Sequence, residues 1–445
     1  MSFYHPSMYD ASRPVGSWWE DDAPLLPVGV DAGPAADASC DVAIIGGGYT
    51  GLSCALHLAR DHKVDVRVLE SGPLGWGASG RNGGFCTFPP SHTSFEGLIK
   101  NFGLEEARRF IDSQRDAVAL VRSLAESEGI DLQPQGDSTM IVAHAPNRWA
   151  GLQSEAKAME RLGVPHELHR AGAFAERFYD SAEQFGGLQV KVGFGLQPLR
   201  FARGLAAAAA RHGARLHGHS KVLGWTRQDG HHLLATSGGT IRARRVVVAT
   251  NGFLEDKLLP SLANQVMPVI SNIIVTRPLT DSELRSQRWQ TEIPCSNTRE
   301  LLFYYRLLPD KRFLFGARGD TTGKPEDAAV MRAGMERRLG EVFPGWKDVE
   351  TTHYWRGFVC MTRSSFPTIG QTEEDPTVWY GLGYHGNGVS AAPWTGRTLA
   401  RLIAGAQTLA SVPVQLTTKP AAIPFPQLKR WYLKLALAYY RFADL

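Results

Sequence analysis

Between Asp41 and Gly51 the chain reads Asp-Val-Ala-Ile-Ile-Gly46-Gly-Gly48-Tyr-Thr-Gly51, and no other stretch leaves it so few folds to adopt. A short apolar run breaks into spaced glycines and then enters a helical pattern, which predicts strand, tight turn, helix. Ile44 and Ile45 belong to a strand buried on both faces. Gly46 permits the turn, Gly48 lets backbone approach a pyrophosphate, and Gly51 lets the helix lie against the strand. The N–H groups of the first helical turn, at Tyr49 and Thr50, then face the phosphates. The helix from Leu52 to Arg60 is followed by a second apolar strand ending at Glu70, 19 residues past Gly51, where a ribose hydroxyl needs an acceptor. A lone GxGxxG carries little, but here strand, helix, second strand and acid are all in place. The plain alternative is a βαβ unit with a Gly-rich turn and a surface Glu70.

At 445 residues the chain exceeds one simple core and suggests two or three units. With 43% hydrophobic and 21% charged residues it has the composition of a soluble globular protein. A formal charge of +4, spread along the chain, gives no basic patch for nucleic acid, so no nucleic-acid partner is expected. The five cysteines form no CxxC pair and no metal-ligand spacing, which predicts reduced thiols and no metal site. Met1 to Pro6 lacks a basic stretch leading into an apolar core, and no run reaches the length of a membrane span. A cytoplasmic enzyme is expected.

Residues 1–39 read as an irregular arm containing Trp18 and Trp19. A second Gly-rich stretch, Gly72 to Gly84, has no periodicity and must be a loop whose backbone has a task. Apolar positions from Phe95 to Glu128 recur at helical spacing, giving one or two helices. A strand follows at 139–143, and a helix spans Arg148 to Leu162. A helix beginning near Pro198 leads into a β-rich tract. That tract ends in Arg245 to Gly252, a buried strand delivering Thr250 to the ligand crevice. Met267 to Arg277 and Leu301 to Gly316 predict longer strands of an antiparallel sheet. Gly383 to Gly388 repeats the first theme, a glycine turn opening a helix through Val389 to about Ala404, with Pro393 inside it. The tail from Phe425 is an aromatic, basic helix, expected to dock on the body; membrane contact is not expected.

Three segments together, Gly46 to Ser53, Gly75 to Gly84 and Gly383 to Gly388, resemble the D-amino-acid-oxidase-type FAD oxidoreductases over nearly the whole chain. Within them the chain is most similar to the gamma-glutamylputrescine oxidoreductase group, with Tyr304-Tyr305-Arg306 and Tyr439-Tyr440 adding to the likeness. The resemblance implies an α/β fold: a Rossmann-like FAD-binding domain with a second α+β substrate domain on an antiparallel sheet. The division expected is 1–39 for the arm; 40–95, 185–260 and 353–405 for FAD; 96–184 and 261–352 for substrate; and 406–445 for the docking helix. It further implies FAD held by Gly46, Gly48 and Gly51 at the pyrophosphate, by Glu70 at the adenosine ribose and by Val222 through its backbone at the adenine. Ser79, Arg81, Asn82, Gly83 and Gly84 would line the flavin side.

Gly383, Gly386, Asn387 and Gly388 would set a helix start, and hence positive potential, beside the charge that flavin reduction creates. The family often has Ser and His where this chain has His385 and Asn387, so His385 is a candidate catalytic residue displaced from the usual place. Tyr304, Tyr305, Arg306 and Trp355 are candidate substrate contacts, aromatics for an alkyl chain and Arg306 or Arg356 for a carboxylate. Sarcosine oxidases place a lysine over the flavin, whereas the strand Arg312 to Gly316 offers Leu314, with Lys311 nearby. The reaction implied is oxidation of the C–N bond of a primary or secondary amine or amino acid by hydride transfer, followed by imine hydrolysis, with O2 or another electron acceptor. Non-covalent FAD is expected, with Cys295 or Cys360 as possible attachment points. Oligomeric state is left open. The alternatives are an NAD-linked dehydrogenase, which leaves the second and third loops unexplained, and a flavin-binding subunit without turnover.

Overall fold

In the strand Ala38–Ile45 every residue from Val42 onward is buried, so it needs covering on both sides and neighbours on both edges. It runs parallel between Val66–Leu69 and Thr240–Val248, with Ile44 opposite Val68 and Val247. The computed structural model, which describes residues 3–88 and 93–444, completes this sheet outward. One edge carries Arg215–His217; the other carries Val378–Leu382 and then the antiparallel Thr368–Gln371. The hairpin Gly224–Gln228 with His231–Ala235 pairs with the first half of Thr240–Val248. Helices Tyr49–His62, Pro198–Arg211 and Gly388–Ile403 pack together in the largest apolar core, which includes Leu52, Leu56, Leu205 and Leu399.

The second sheet has eight strands in the order Thr351–Met361, Met267–Pro278, Arg312–Arg318, Phe303–Leu307, Cys295–Asn297, Thr139–Val142, Gly187–Val190, His166–His169. Its pairings are antiparallel except one: Cys295–Asn297 runs parallel to Thr139–Val142. The architecture is therefore α/β, a Rossmann-like sheet joined to an α+β region on a mainly antiparallel sheet. Gly187–Val190 and Thr351–Met361 pair into the second sheet, although sequence alone grouped 185–260 and 353–405 with the first. The reason is long-range: Met267–Pro278 supplies Thr351–Met361 with a partner along nearly its whole length.

The single strand expected from Leu301 to Gly316 is a hairpin, turned at Lys311 in a left-handed conformation (φ +67°). Gly103 (φ +79°) divides Phe95–Phe102 from Leu104–Glu128. Pro393 is the sixth residue of its helix, past the first turn, and the helix continues through it. The arm is not wholly irregular, because Trp18–Asp22 forms a short helix with Trp19 buried. Tyr4 donates to the carbonyl of Pro268 (2.9 Å) and stacks on Phe358. The C-terminal helix Lys429–Ala443 buries Leu433 and Leu437 against that same cluster and leaves Trp431, Leu435 and Tyr439 exposed. Met1 and Ser2, with which the leader-free reading began, lie outside the described residues. Among those described, no helix is long and apolar enough to cross a membrane. All five cysteines are unpaired and buried.

Candidate functional site

The first glycine turn shows why small residues stand there. A Cβ on Gly51 would sit 1.9 Å from the carbonyl oxygen of Gly46, so the helix lies directly on the turn. Gly46 itself has φ +113°. Glu70 Oε2 accepts from the N–H of Gly47 (2.6 Å), while Oε1 accepts from Gly72 N–H and Ser71 Oγ (both 3.0 Å). Burial pushes the Glu70 carboxyl up, and these three donors pull it back toward the ionised form.

The second loop is tied to the first, because Ser79 Oγ accepts the N–H of Tyr49 (2.9 Å). Its hydroxyl proton is then left for another acceptor. Four successive carbonyls of this loop are held from behind. Trp355 Nε1 donates to Arg81 O (2.7 Å), Trp19 Nε1 to Asn82 O (2.8 Å), Arg306 Nε to Gly83 O (3.1 Å) and Leu196 N to Gly84 O (2.8 Å). The Asn82 side chain is spent within the loop, donating to Ala78 O and Ser79 O and accepting from Gly84 N. Arg81 lies over the ring of Trp76 (4.0 Å) and donates to Trp76 O (2.7 Å); burial lowers its guanidinium to about 10.

The third glycine turn joins both. Tyr384 Oη and Thr50 Oγ1 are 2.6 Å apart, Gly383 N–H donates to Asn251 Oδ1 (2.9 Å), and Thr87 Oγ1 donates to Asn387 Oδ1 (3.1 Å). His385 is fully buried with φ +52°. Its Nε2 accepts the backbone N–H of Thr362 (3.0 Å), so the neutral ring carries its proton on Nδ1. Through Nε2 the ring fastens the glycine turn to the end of Thr351–Met361.

These elements enclose one cavity of about 1730 Å³, larger than the ~300–1,000 Å³ of an ordinary small-molecule site and roomy enough for a dinucleotide and a second molecule. Of the residues singled out from sequence, Gly46, Gly48, Tyr49, Thr50, Glu70, Ser79, Arg81, Asn82, Gly83, Val222 and Thr250 line it. So do His385, Gly386, Asn387, Gly388 and Val389. Gly51, Gly84 and Gly383 stand behind the wall.

Three expected substrate contacts do not reach the cavity. Tyr305 points to the far side of its sheet, into an aromatic core with Phe313, Phe315 and Phe343, and its Oη meets Tyr179 Oη at 2.8 Å. Arg306 and Trp355 are covered by the 81–84 loop that they hold. Burial lowers Arg306 to about 9, and its other donors go to Gln135 Oε1 (2.9 Å) and Leu196 O (2.6 Å). Lys311 is on the surface paired with Asp281, and Leu314 is buried beside Trp19 and Trp355. Cys295 is in the second core; Cys360 lines the cavity, its thiol pushed up to about 12 by burial.

Sequence reasoning missed the side chains that share the Tyr304 face of the second sheet: Ile273, in the Tyr304–Gly316 row, and Ser271, Arg318 and Gly357, paired in the next row on that face. The Tyr304 ring lies where a Cβ of Gly316 would be (2.0 Å), and its Oη meets Ser271 Oγ at 2.9 Å. Period-two alternation around Gly316 was the available signal. It needed the pairing partner to be known.

The donors fit an elongated anionic dinucleotide: the Thr50 N–H, the Ser79 hydroxyl and a half-buried Arg81 with no carboxylate in ion-pair reach among the described residues. Trp76 Nε1, Thr250 Oγ1 and Asn387 Nδ2, on cavity residues, are buried polar atoms with no partner among the described residues. No cluster able to hold a metal is found among the described residues.

Residues 41–402 match the family described as FAD dependent oxidoreductase (DAO). Gamma-glutamylputrescine oxidoreductase of Escherichia coli (strain K12) is 34% identical over 82% of this chain and 84% of its own length. The probable oxidoreductase OrdL of Rhizobium meliloti (strain 1021) is 33% identical over 97% of this chain and 98% of its own. Among solved structures, glycine oxidase from Geobacillus kaustophilus superposes with a TM-score of 0.69 at 23% identity, covering 84% of this chain and 96% of that one, a likeness of fold.

Proposed function

The chain belongs to the DAO family of FAD-dependent oxidoreductases, and we propose that it oxidises the C–N bond of a small primary or secondary amine or amino acid, the resulting imine being hydrolysed by water. The observation that carries this reading is the convergence of three distant glycine segments on one cavity whose opposite wall is the Tyr304 face of the second sheet. The names of the E. coli and Geobacillus relatives, for glutamylputrescine and glycine, support an amine or amino-acid substrate.

In this reading Gly46, Gly48, the N–H of Thr50 and the Ser79 hydroxyl, itself held by the Tyr49 N–H, take the pyrophosphate, with Glu70 on the adenosine ribose and Val222 and Thr250 beside the adenosine. Arg81, Asn82 and Gly83 line one edge of the isoalloxazine ring; Gly386 to Val389, at the positive end of a helix, line another. FAD, when bound, supplies the two-electron acceptor for the substrate's hydride. The protein's part is positioning and desolvation. Ile273, Met140 and Phe358 give the substrate side apolar surface, which disfavours an ammonium and favours the neutral amine from which hydride departs. Tyr304 Oη, pushed up to about 12 by burial, stays protonated and serves as a hydrogen-bonding group. An oxidase, returning electrons to O2, is favoured over a dehydrogenase on the relatives' names.

Mixing the purified holoprotein anaerobically with polyamines, N-methylated amino acids and D-amino acids, then admitting air, tests this directly. Bleaching of the flavin by one class, with colour returning in air, is expected. Protein that carries FAD but is bleached by no amine overturns the proposal, and bleaching without recovery in air makes it a dehydrogenase.

A further inference from the structure

The arrangement behind the 81–84 loop goes beyond holding it still. A trans peptide directs its C=O and the next N–H to opposite sides. The indoles of Trp355 and Trp19 take the carbonyls of Arg81 and Asn82, so the N–H groups of Asn82 and Gly83 point away from both indoles. Neither N–H has an acceptor among the described residues, and both residues line the cavity while Trp19 and Trp355 do not. The third peptide is different: Arg306 takes Gly83 O, and the following N–H, of Gly84, is capped by Asn82 Oδ1. The loop thus presents two parallel, unshared donors and closes off the third.

Arg306 adds charge to this geometry. It is 1% exposed, has no carboxylate within ion-pair reach among the described residues, and donates all its hydrogen bonds to neutral oxygens. Burying a cation without a counter-ion is costly unless its field is used. Here the guanidinium stands behind the 81–84 loop, bonded to Gly83 O, while Gly83 itself lines the cavity.

We propose that Trp19, Trp355 and Arg306 are positioning residues: the two indoles aim the N–H groups of Asn82 and Gly83 at an acceptor edge of the flavin ring, and Arg306 sets a fixed positive charge behind them. Together they favour the reduced, more negative form of the cofactor. The inference rests on the FAD assignment above, since it concerns which part of that molecule the loop meets. It also gives the N-terminal arm a role, because Trp19 reaches the loop from outside both sheets.

The test uses full-length holoprotein. Trp19→Phe and Trp355→Phe keep an aromatic ring and delete the indole N–H together with part of the bicyclic ring, so the melting temperature is read beside the potential. Each is expected to weaken FAD binding by about fivefold, to shift the midpoint potential of bound FAD to more negative values and to alter its visible spectrum, with the double variant exceeding either. Arg306→Met is expected to shift the potential the same way, and Arg306→Lys to restore most of it. Variants with a lower melting temperature but unchanged potential and spectrum would show that the three side chains only pack the loop, and overturn the proposal. Should Arg306→Met not fold, the two Trp→Phe variants decide alone. Wild-type protein that holds no FAD would instead fail the assignment on which this rests, a distinct result.

Discussion

The two walls of the cavity are built by opposite means. On the Rossmann-like side the chain approaches with backbone: glycine turns, helix starts and a loop whose carbonyls are tied behind it. On the second-sheet side it approaches with side chains, where period-two alternation puts Tyr304 in the cavity and Tyr305 in an aromatic core. Backbone recognition leaves a mark in the sequence because only glycine fits. Side-chain recognition leaves none until the pairing of strands is known, since either tyrosine is chemically suited to the site.

The harshest way to break this contrast is Gly51→Ala. Its Cβ would stand 1.9 Å from a backbone oxygen that cannot rotate away, so loss of FAD and at least ~4 kcal/mol of stability are expected, read as flavin per protein and by denaturant unfolding. Gly151→Ala, in the helix Trp149–Arg161 with nothing within 4 Å, is the control and should stabilise by up to ~1 kcal/mol.

The tyrosine pair sharpens the second half. Tyr305→Phe removes the partner of a buried Tyr179 hydroxyl, so a loss of ~1–2 kcal/mol with unchanged KM is expected. Tyr304→Phe should do the reverse, moving KM severalfold while the melting temperature changes little. A Tyr305→Phe variant with altered KM would contradict the face assignment.

Both walls should share a weakness to acid. Burial lowers His57, in the helix Tyr49–His62, and His144, beside the second sheet, to about 4 from the ordinary ~6.5. Between those values the unfolded chain holds more protons than the native one, so stability falls as pH drops from about 6.5 to about 4 and levels off on either side. Melting temperature against pH should flatten partially in His57→Gln and in His144→Gln; an unchanged slope would remove that side from the account.

The smallest effect concerns Glu70. Its carboxyl is raised by burial, so the native state favours the neutral form, and the ionised form costs stability above the ordinary carboxylate range. Glu70→Gln relieves that cost but offers one acceptor oxygen where Glu70 uses two, so the melting temperature of the apoprotein should move by no more than about 1 °C while FAD binding weakens.

How much of this was legible in the sequence follows the same contrast. Gly46 to Gly51, Glu70 and the 383–388 turn could be read because each places a local backbone demand on residue type. Trp19 could not, since nothing near it in sequence indicates that its N–H meets Asn82. Arg306 was noticed but given to substrate. Its register beside Gly83 and Gly195, fixed by strands far apart in the chain, makes it a buried support. His385 was weighed as an acid or base, and its partner Thr362 lies 23 residues upstream on another element. Ser271 and Arg318 went unnoticed because their shared face with Tyr304 depends on pairing between three strands.

The strand order of the first sheet carries one more consequence. Ala38–Ile45 finds one neighbour at Val66–Leu69 but the other at Thr240–Val248, which in turn waits for Val378–Leu382. During synthesis, then, the earliest glycine turn emerges about 340 residues before the helix that will face it, and a nucleotide finds no complete cradle until Gly388–Ile403 has been made.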